Sequence, residues 1–256
     1  MEKNCQFLVN PEDFLMPEEN TWVMLSVKGE VARTFNDEPP RVTTTTKVPP
    51  RFMQASTTNH TLYLITDKGN CATIPVQQLP QAEEVGDGTH FSDISPLDSD
   101  ENIAAIISLP MNIDTGYLFF VTEQAQVKRL QLEDLPGVMS KVFSVMKVAD
   151  DDALMYVTYT TGENEIVLTT AQAQAIRFSE DDVRPTGLSA GGMRGIKLVG
   201  QRDRAVRPMV DEALGAELLH HLGHGRRREP EVGRQARRRD GLRLPLRVGV
   251  DRLHVV

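Results

Sequence analysis

Four segments in the first two hundred residues share one pattern, in which two apolar runs flank a short turn. The segments are residues 22–35, 62–75, 117–130 and 165–178. In each copy a hydroxyl residue ends the first run and a small residue follows three positions later, as in Ser26 with Gly29. The alternation of apolar and polar residues around a short turn predicts four antiparallel hairpins.

A single hairpin is marginal in water because one apolar face stays uncovered. Four copies whose hydroxyl residues lie 40, 56 and 48 residues apart therefore predict units that cover one another. Apolar runs at residues 103–109 and 154–159 supply further strands, giving about four strands in each unit. The pattern predicts an all-β, propeller-like fold of four-stranded blades; a plain sandwich is the alternative.

The fourth copy has the most specific sequence. Residues 165–198 read EIVLTTAQAQAIRFSEDDVRPTGLSAGGMRGIKL. This run resembles the C-terminal domain of the gyrase A protein and of its topoisomerase IV relative, and the resemblance extends over about residues 12–199. It implies a β-pinwheel, here an incomplete ring, in which neighbouring blades exchange a strand. It also implies a basic rim that binds and bends duplex DNA as part of a bacterial type IIA DNA topoisomerase.

Basic side chains recur in the second strand of the hairpins or in the loop that follows. The resemblance places them at the DNA-binding rim, and the alternative is an ordinary solvated strand face. The implied partners are double-stranded DNA, the ATPase B chain of the topoisomerase, and the catalytic part of the gyrase A protein. The candidate DNA-binding residues are Arg33, Lys128, Arg129, Arg177, Arg184, Arg194 and Lys197.

The chain departs from this family in three respects: a missing sequence box, a missing catalytic domain and an acidic charge. The family carries a Gln- and Arg/Gly-rich box after the first hairpin, whereas residues 36–51 read NDEPPRVTTTTKVPPR. The resemblance therefore does not by itself imply gyrase-type wrapping, and we expect the first blade to close differently or not at all. The DNA-cleaving domain has no counterpart here, and all four tyrosines lie in predicted strands, so we expect a non-catalytic fragment. Those tyrosines are Tyr63, Tyr117, Tyr156 and Tyr159.

Charge is divided unevenly along the chain. Residues 1–200 hold 15 Lys and Arg against 28 Asp and Glu, which is a formal charge of −13. Residues 201–256 hold 13 Lys and Arg against 8 Asp and Glu, which is a formal charge of +5 and brings the whole chain to −8. DNA binding depends on Lys and Arg that displace counterions from phosphates. A basic edge can still attract DNA, because charges are screened over about 8 Å at physiological salt. An acidic propeller that binds a protein partner without touching DNA is the alternative function.

Other features exclude several classes of site. Cys5 and Cys71 have no metal-ligand spacing and indicate a reducing compartment. No apolar run reaches the length of a membrane span, so we expect a cytoplasmic protein. The glycines of residues 187–195 lack the ending of a phosphate loop. The acidic residues 150–152 and 181–182 are typical of solvated turns. We therefore expect no cofactor and no metal.

Composition changes after residue 200. Residues 201–256 contain no Ser, Thr, Asn, Lys, Ile, Phe, Tyr or Trp, and arginines come in blocks. We interpret residues 1–200 as the repeat domain and residues 201–256 as an Arg-rich tail that is irregular or partly helical over residues 209–222. A native arm that binds nucleic acid by charge is one alternative. A metal site at His220 and His224 is another, but no third ligand accompanies them.

We predict that the tail is an out-of-frame translation, because its residues are encoded by GC-rich codons. Sequencing the genomic DNA on both sides of residue 200 tests this. A second reading frame should continue the hairpin repeat, and its absence from both alternative frames would reject the frameshift.

Overall fold

The computed structural model describes residues 18–40, 42, 46–111, 113–200 and 203–210. They belong to the first of two compact units, Met1–Gly225, while the second, Arg226–Val256, lies outside the described residues. The strands are β1 Asn20–Ser26, β2 Glu30–Arg33, β3 Pro50–Thr57, β4 His60–Thr66, β5 Asn70–Pro75, β6 Thr89–His90, β7 Ile103–Pro110, β8 Tyr117–Thr122, β9 Gln126–Gln131, β10 Phe143–Ser144, β11 Leu154–Thr160, β12 Glu165–Thr170, β13 Ala175–Ser179, β14 Met193–Arg194 and β15 Ala205–Val210. One short α-helix, α1 Phe91–Ile94, and 3-10 turns at Val76–Gln78, Val85–Asp87, Leu132–Asp134 and Glu180–Asp182 complete the described elements.

The strands form four antiparallel sheets, each built on one of the predicted hairpins. The spatial orders are β3-β1-β2-β6, β7-β4-β5-β10, β11-β8-β9-β14 and β15-β12-β13. All four hairpins are confirmed, and so are the further strands predicted at residues 103–109 and 154–159. The all-β class and the four-stranded blades of a pinwheel are confirmed as well.

The fourth strand of each complete sheet comes from further along the chain. β6 follows the second hairpin but pairs with β2 of the first sheet. In the same way β10 follows the third hairpin and pairs with β5, and β14 follows the fourth hairpin and pairs with β9. We call β6, β10 and β14 the donor strands. Neighbouring sheets are therefore joined by backbone hydrogen bonds as well as by packing.

The first sheet is complete, so the expectation that the first blade closes differently or not at all is wrong. Its order matches that of the second and third sheets. The reason is that its fourth strand, Thr89–His90, is supplied from beyond the second hairpin and not from residues 36–51. Pro50 opens β3, where it lies opposite Ser26 at the end of β1.

Successive side chains of a strand point to opposite faces, so each inner sheet contributes to two apolar layers. Leu62 and Leu64 of β4 pack on the first sheet, whereas Tyr63 and Ile65 pack on the third. A third layer lies between β8 and β12 and includes Phe119, which is fully buried. Each buried Leu, Ile or Phe contributes about 1.5–3 kcal/mol to folding.

The fourth sheet extends past the predicted domain boundary at residue 200. β15 covers Ala205–Val210 and pairs with β12, with Ala205 opposite Thr170. The repeat domain therefore includes residues 203–210, so a change of reading frame would have to lie after residue 210 and not near residue 200. From Asp211 onward the predicted tail, including His220, His224 and the arginine blocks, lies outside the described residues.

A buried polar cluster links the outer strands of the first two sheets. The hydroxyls of Ser56 in β3 and Ser108 in β7 lie 2.6 Å apart, and Nδ1 of His60 lies 3.3 Å from the Ser108 hydroxyl. Gln54 Oε1 accepts the Ser108 N–H at 3.0 Å. Burial lowers the pKa of His60 to about 4, so the folded protein holds this imidazole neutral at pH 7.

We predict that His60 makes the domain less stable in mild acid. Its pKa is about 4 when folded and 6.5 when exposed, so protons favour the unfolded chain as pH falls from about 7 to 4. The loss is at most ~3 kcal/mol. Urea unfolding of the parent and of His60→Gln at pH 7 and pH 4.5 measures it. The variant should lose less stability between the two pH values; equal losses would contradict the assignment.

Candidate nucleic-acid interface

The hairpin turns line one edge of the stacked sheets, which we call the tip edge. It comprises residues 26–29, 66–69, 122–125 and 170–173. The small residue of each turn has a positive φ, from 58° at Ala125 to 94° at Gly29. The hydroxyl that precedes it accepts a backbone N–H within its own turn, as Thr122 Oγ1 does from Gln126 at 3.1 Å. The hydroxyl recurs because it bonds the backbone of the turn, and the small residue recurs because its position requires a positive φ.

The donor strands end beside these turns. Ser144 of β10 lies opposite Asn70, and Arg194 of β14 lies opposite Gln126. The second hairpin turn packs tightly against the segment after β10, since a Cβ on Gly69 would lie 2.1 Å from the Met146 carbonyl oxygen. The residues that follow β10 and β14 therefore belong to the tip edge too.

Five exposed cations occupy this edge across three sheets. Lys28 belongs to the first hairpin turn, and Lys68 has the same position in the second. Lys147 and Lys197 each follow a donor strand in matching register, and Arg194 is in β14 itself. Within the described ranges none of the five forms a salt bridge.

Lys28, Lys68 and Lys147 were missed in the sequence analysis. The repeated Lys-Gly pair of the first two turns was a detectable signal for Lys28 and Lys68. Lys147 becomes visible only when residues 143–147 are aligned with residues 193–197, because the donor strands are two residues long.

The structure places Lys128 in the interior, which corrects its assignment to the rim. Its side chain is fully buried, and Nζ donates to the carbonyl oxygens of Val145, Gly187, Leu188 and Ala190 at 2.6–3.1 Å. Burial lowers the pKa of Lys128 to about 8, so the ammonium is still charged at neutral pH. Val145 directly follows β10 and the other three acceptors precede β14, so Lys128 connects the donor segments of two sheets.

Arg129 is also enclosed. It is 3 % exposed, its guanidinium lies 4.5 Å from the centroid of the Tyr117 ring, and Nη2 is 3.0 Å from Asp181 Oδ1. Such a side chain stabilises the contact between the third and fourth sheets and is not available to phosphates. Lys128 and Arg129 are therefore removed from the candidate interface.

The remaining predicted residues differ in accessibility. Arg33 is half-buried, and its Nε lies in the interior without a hydrogen bond. Arg177 is exposed and pairs with Glu165 at 2.8 Å, away from the tip edge. Arg184 is exposed in the loop after β13, and Arg194 and Lys197 are on the tip edge. The structure thus brings together two of the seven predicted residues.

Four carboxylates lie on or beside the tip edge: Asp67 accepts the Asn102 side-chain amide, Glu123 pairs with Arg204, and Asp152 and Asp203 hold the turns. Asp152 accepts the N–H groups of Gln124 and Ala153 at 2.9 and 2.8 Å. Asp203, which has the matching position in the next repeat, accepts from Gln172 and Val199 at 3.1 and 2.9 Å. Burial alone would raise the pKa of Asp203, but these backbone donors lower it below its ordinary value.

Within the described part of the chain, no three His, Cys, Asp or Glu side chains are grouped as a metal site. The described residues also contain no helix long and apolar enough to cross a membrane.

Stacked antiparallel sheets, of which the first three are each completed by a strand from the following repeat, define a β-pinwheel domain. A family model described as "DNA gyrase C-terminal domain, beta-propeller" matches residues 116–160 and 164–206. The chain belongs to this family of gyrase A C-terminal domains.

Individual relatives agree with this assignment. The DNA gyrase A protein of Escherichia coli (strain K12) is 32 % identical over 178 residues, which cover 69 % of this chain and 20 % of that protein. The DNA gyrase A protein of Buchnera aphidicola subsp. Baizongia pistaciae is 34 % identical over 173 residues, 67 % of this chain and 20 % of that protein. The chain thus spans about a fifth of the length of these curated relatives.

Solved structures show the same fold. The C-terminal domain of DNA topoisomerase IV superposes with a TM-score of 0.63 at 28 % identity, covering 77 % of this chain and 62 % of that one. The DNA gyrase A C-terminal domain gives a TM-score of 0.57 at 20 % identity, covering 75 % of this chain and 65 % of that one.

We predict that Lys128→Met lowers the free energy of unfolding by about 2–4 kcal/mol, because four buried carbonyls lose their shared donor while the side-chain volume is kept. Urea denaturation measures the change. Lys147→Met, at an exposed lysine, is the matched control and should change stability by under about 0.5 kcal/mol. A Lys128 variant as stable as the control would show that the ammonium is dispensable.

Proposed function

We propose that this chain binds duplex DNA along its tip edge and bends it. The observation that carries the proposal is a set of five exposed cations in three successive sheets that form no salt bridge within the described part of the chain, namely Lys28, Lys68, Lys147, Arg194 and Lys197. Membership of the gyrase C-terminal domain family supports it.

The acidic character of the domain does not oppose this. Screening over about 8 Å means that a phosphate responds to the charges close to it and only weakly to the distant ones. Beside the tip edge, Asp152 and Asp203 accept hydrogen bonds from backbone N–H groups, whereas the five cations form no salt bridge within the described ranges. Each phosphate that a lysine or arginine contacts releases condensed counterions.

Phosphate contacts of this kind position DNA without reading its sequence. Three successive sheets offer cations at the same edge, so a duplex that follows the edge gains contacts from each of the three. The added ionic contacts offset the cost of bending, which for 20–30 base pairs is of order 1–6 kcal/mol. We therefore expect weak sequence preference and strong salt dependence.

The family suggests the setting in which this binding acts. We propose that the domain serves the gyrase A protein of a bacterial type IIA topoisomerase in the cytoplasm. Its protein partners would then be the ATPase B chain of that enzyme and the catalytic part of the gyrase A protein. The chemistry of strand cleavage would belong to the catalytic part, and this chain would guide the DNA towards it.

We predict that Lys147→Ala with Lys197→Ala lowers the magnitude of the slope of log Kobs against log salt by about 2, since each lysine accounts for roughly 0.9. A mobility-shift titration on a duplex of more than one hundred base pairs, at several salt concentrations, measures the slope. The charge-matched control is Lys141→Ala with Arg177→Ala, both exposed and off the tip edge.

Three results would count against this assignment. An equal change in the control variant would show that overall charge, and not the tip edge, drives binding. An unchanged slope in Lys147→Ala with Lys197→Ala would remove these lysines from the interface. If the parent fails to bind saturably even at low salt, the acidic, protein-binding propeller becomes the better function.

A further inference from the structure

The second strand of each of the first three hairpins is covered where it leaves its turn. β6, β10 and β14 pair with the first two residues of β2, β5 and β9. In the third sheet Arg194 lies opposite Gln126, and the Gly195 N–H donates to the Ala125 carbonyl at 2.8 Å. A donor segment therefore bonds both the strand and the turn before it.

The fourth hairpin has no donor strand among the described residues. Its sheet has the order β15-β12-β13, so β13 lies at the edge. Ala173 and Ala175 have the positions that Ala125 and Val127 have in the third hairpin. Within the described ranges no strand other than β12 pairs with β13, and no backbone N–H donates to the Ala173 carbonyl.

Solvent exposure shows the same difference between the two sheets. Beneath the donor strand of the third sheet, Ala125 is 0 % and Val127 is 1 % exposed. In the fourth sheet all of residues 173–177 are exposed, with Ile176 at 39 % and the Arg177 side chain at 71 %. We call residues 173–177 the acceptor edge.

The backbone groups of the acceptor edge are directed outward at alternate residues. In the first sheet the N–H and the carbonyl of Arg33 both bond residues 80–82, on the side away from β1. Residues two apart in an antiparallel strand direct their hydrogen-bonding groups to the same side. Arg177 has the position of Arg33, so the N–H and carbonyl groups of Arg177 and Ala175 face away from β12. With the Ala173 carbonyl they form a row that a further strand can pair with.

We propose that the acceptor edge binds a donor segment of a further repeat of this fold, carried by a partner chain. The segment runs antiparallel to β13 and places an apolar residue opposite Ala175. The N–H two residues later donates to the Ala173 carbonyl, as that of Gly195 does to Ala125. This is strand addition at an exposed sheet edge, in which backbone bonds give affinity. Binding at this edge needs no DNA.

The donor segments of this chain indicate the sequence of the occupant. Residues 143–148 read FSVMKV and residues 193–198 read MRGIKL. Apolar residues therefore recur at the first, fourth and sixth positions, and lysine recurs at the fifth. A second copy of this chain has its described donor strands paired within its own sheets, so the occupant is a repeat whose donor segment is free.

The outer face of the fourth sheet suits the apolar residues of such a segment. Ile196, at the fourth position of its segment, packs in the apolar layer beyond the third sheet. The corresponding face of the fourth sheet carries Ala175, which lies opposite Thr169, and Thr169 lies opposite Val206. Val206 is 45 % exposed, so an apolar side chain placed there gains a contact that the described residues do not supply.

The test uses the full chain and the synthetic peptide acetyl-GGMRGIKLV-amide, which has the sequence of residues 191–199 and is labelled for fluorescence anisotropy. We expect saturable binding without DNA. Methylating the nitrogen of the glycine that matches Gly195 removes the N–H meant for the Ala173 carbonyl, so affinity should fall roughly fivefold or more. Methylating the arginine nitrogen is the matched control, because that N–H points away from the acceptor edge. Equal losses for the two methylated peptides, or no saturable binding of the parent peptide, would overturn the proposal.

Variants of the protein locate the site. Ala175→Pro removes the outward N–H at a position where an edge strand accepts proline, and it should weaken the peptide roughly fivefold or more. Ala175→Ser keeps the N–H and should bind as the parent does. Both variants are first shown to unfold at the parent temperature. Binding that survives Ala175→Pro would place the peptide elsewhere, for example on β9 in place of β14. Sedimentation velocity should show a monomer without peptide, and a dimer that Ala175→Pro dissociates would assign the edge to a second copy instead.

Discussion

Backbone hydrogen bonds between a donor strand and the preceding hairpin are the interaction on which the rest of this structure depends. Each donor strand is two residues long, so it contributes little pairing energy by itself. Its importance is geometric, because it fixes the loop on either side of it against the neighbouring sheet. The Phe91, Val145 and Gly195 N–H groups all donate to the carbonyl of the small turn residue, at 2.8–2.9 Å. The positive φ at Gly29, Gly69 and Ala125 aims that carbonyl at the donor strand.

Strand exchange also explains why a lysine can be buried here. A lone ammonium in an apolar layer would be very costly, since burial opposes its charge. The loop around β14 turns carbonyls towards Lys128 and Val145 adds another, so that four oxygens replace the water that the ammonium loses. Ala32 and Ala72 have the matching positions in the first two sheets, where no such group of carbonyls is needed. The buried ammonium of Lys128 is therefore specific to the third sheet and does not recur in the other repeats.

The sequence was sufficient for the hairpins, because strands of four to eight residues have a clear apolar alternation and a turn between them. It was insufficient for the donor strands, since Thr89–His90 and Phe143–Ser144 are too short to show any period. Burial of Lys128 and Arg129 was missed for a different reason: charged residues are rarely interior, and key partners, Leu188 for Lys128 and Asp181 for Arg129, lie more than fifty residues away in the chain. The extent of the repeat domain was also underestimated. Glu101, Asp152 and Asp203 are spaced 51 residues apart, and this acidic position was a signal that the repeat continues beyond residue 200.

Register alone does not determine what a side chain does in this fold. Four equivalent positions of the repeat differ: Arg33 is half-buried, Thr73 bonds a loop, Arg129 is buried and pairs with the exposed Asp181, and Arg177 is exposed. The difference arises from the segment that the following repeat lays over each position. Where that segment is a close parallel strand, the basic side chain is held in the structure. At Thr73 no parallel strand lies alongside; the residue is buried and its hydroxyl accepts the Met139 N–H. Tip-edge residues are not covered in this way, because they lie at the ends of the hairpins, beyond the segments laid over the second strands. Their cations therefore stay accessible in three successive sheets.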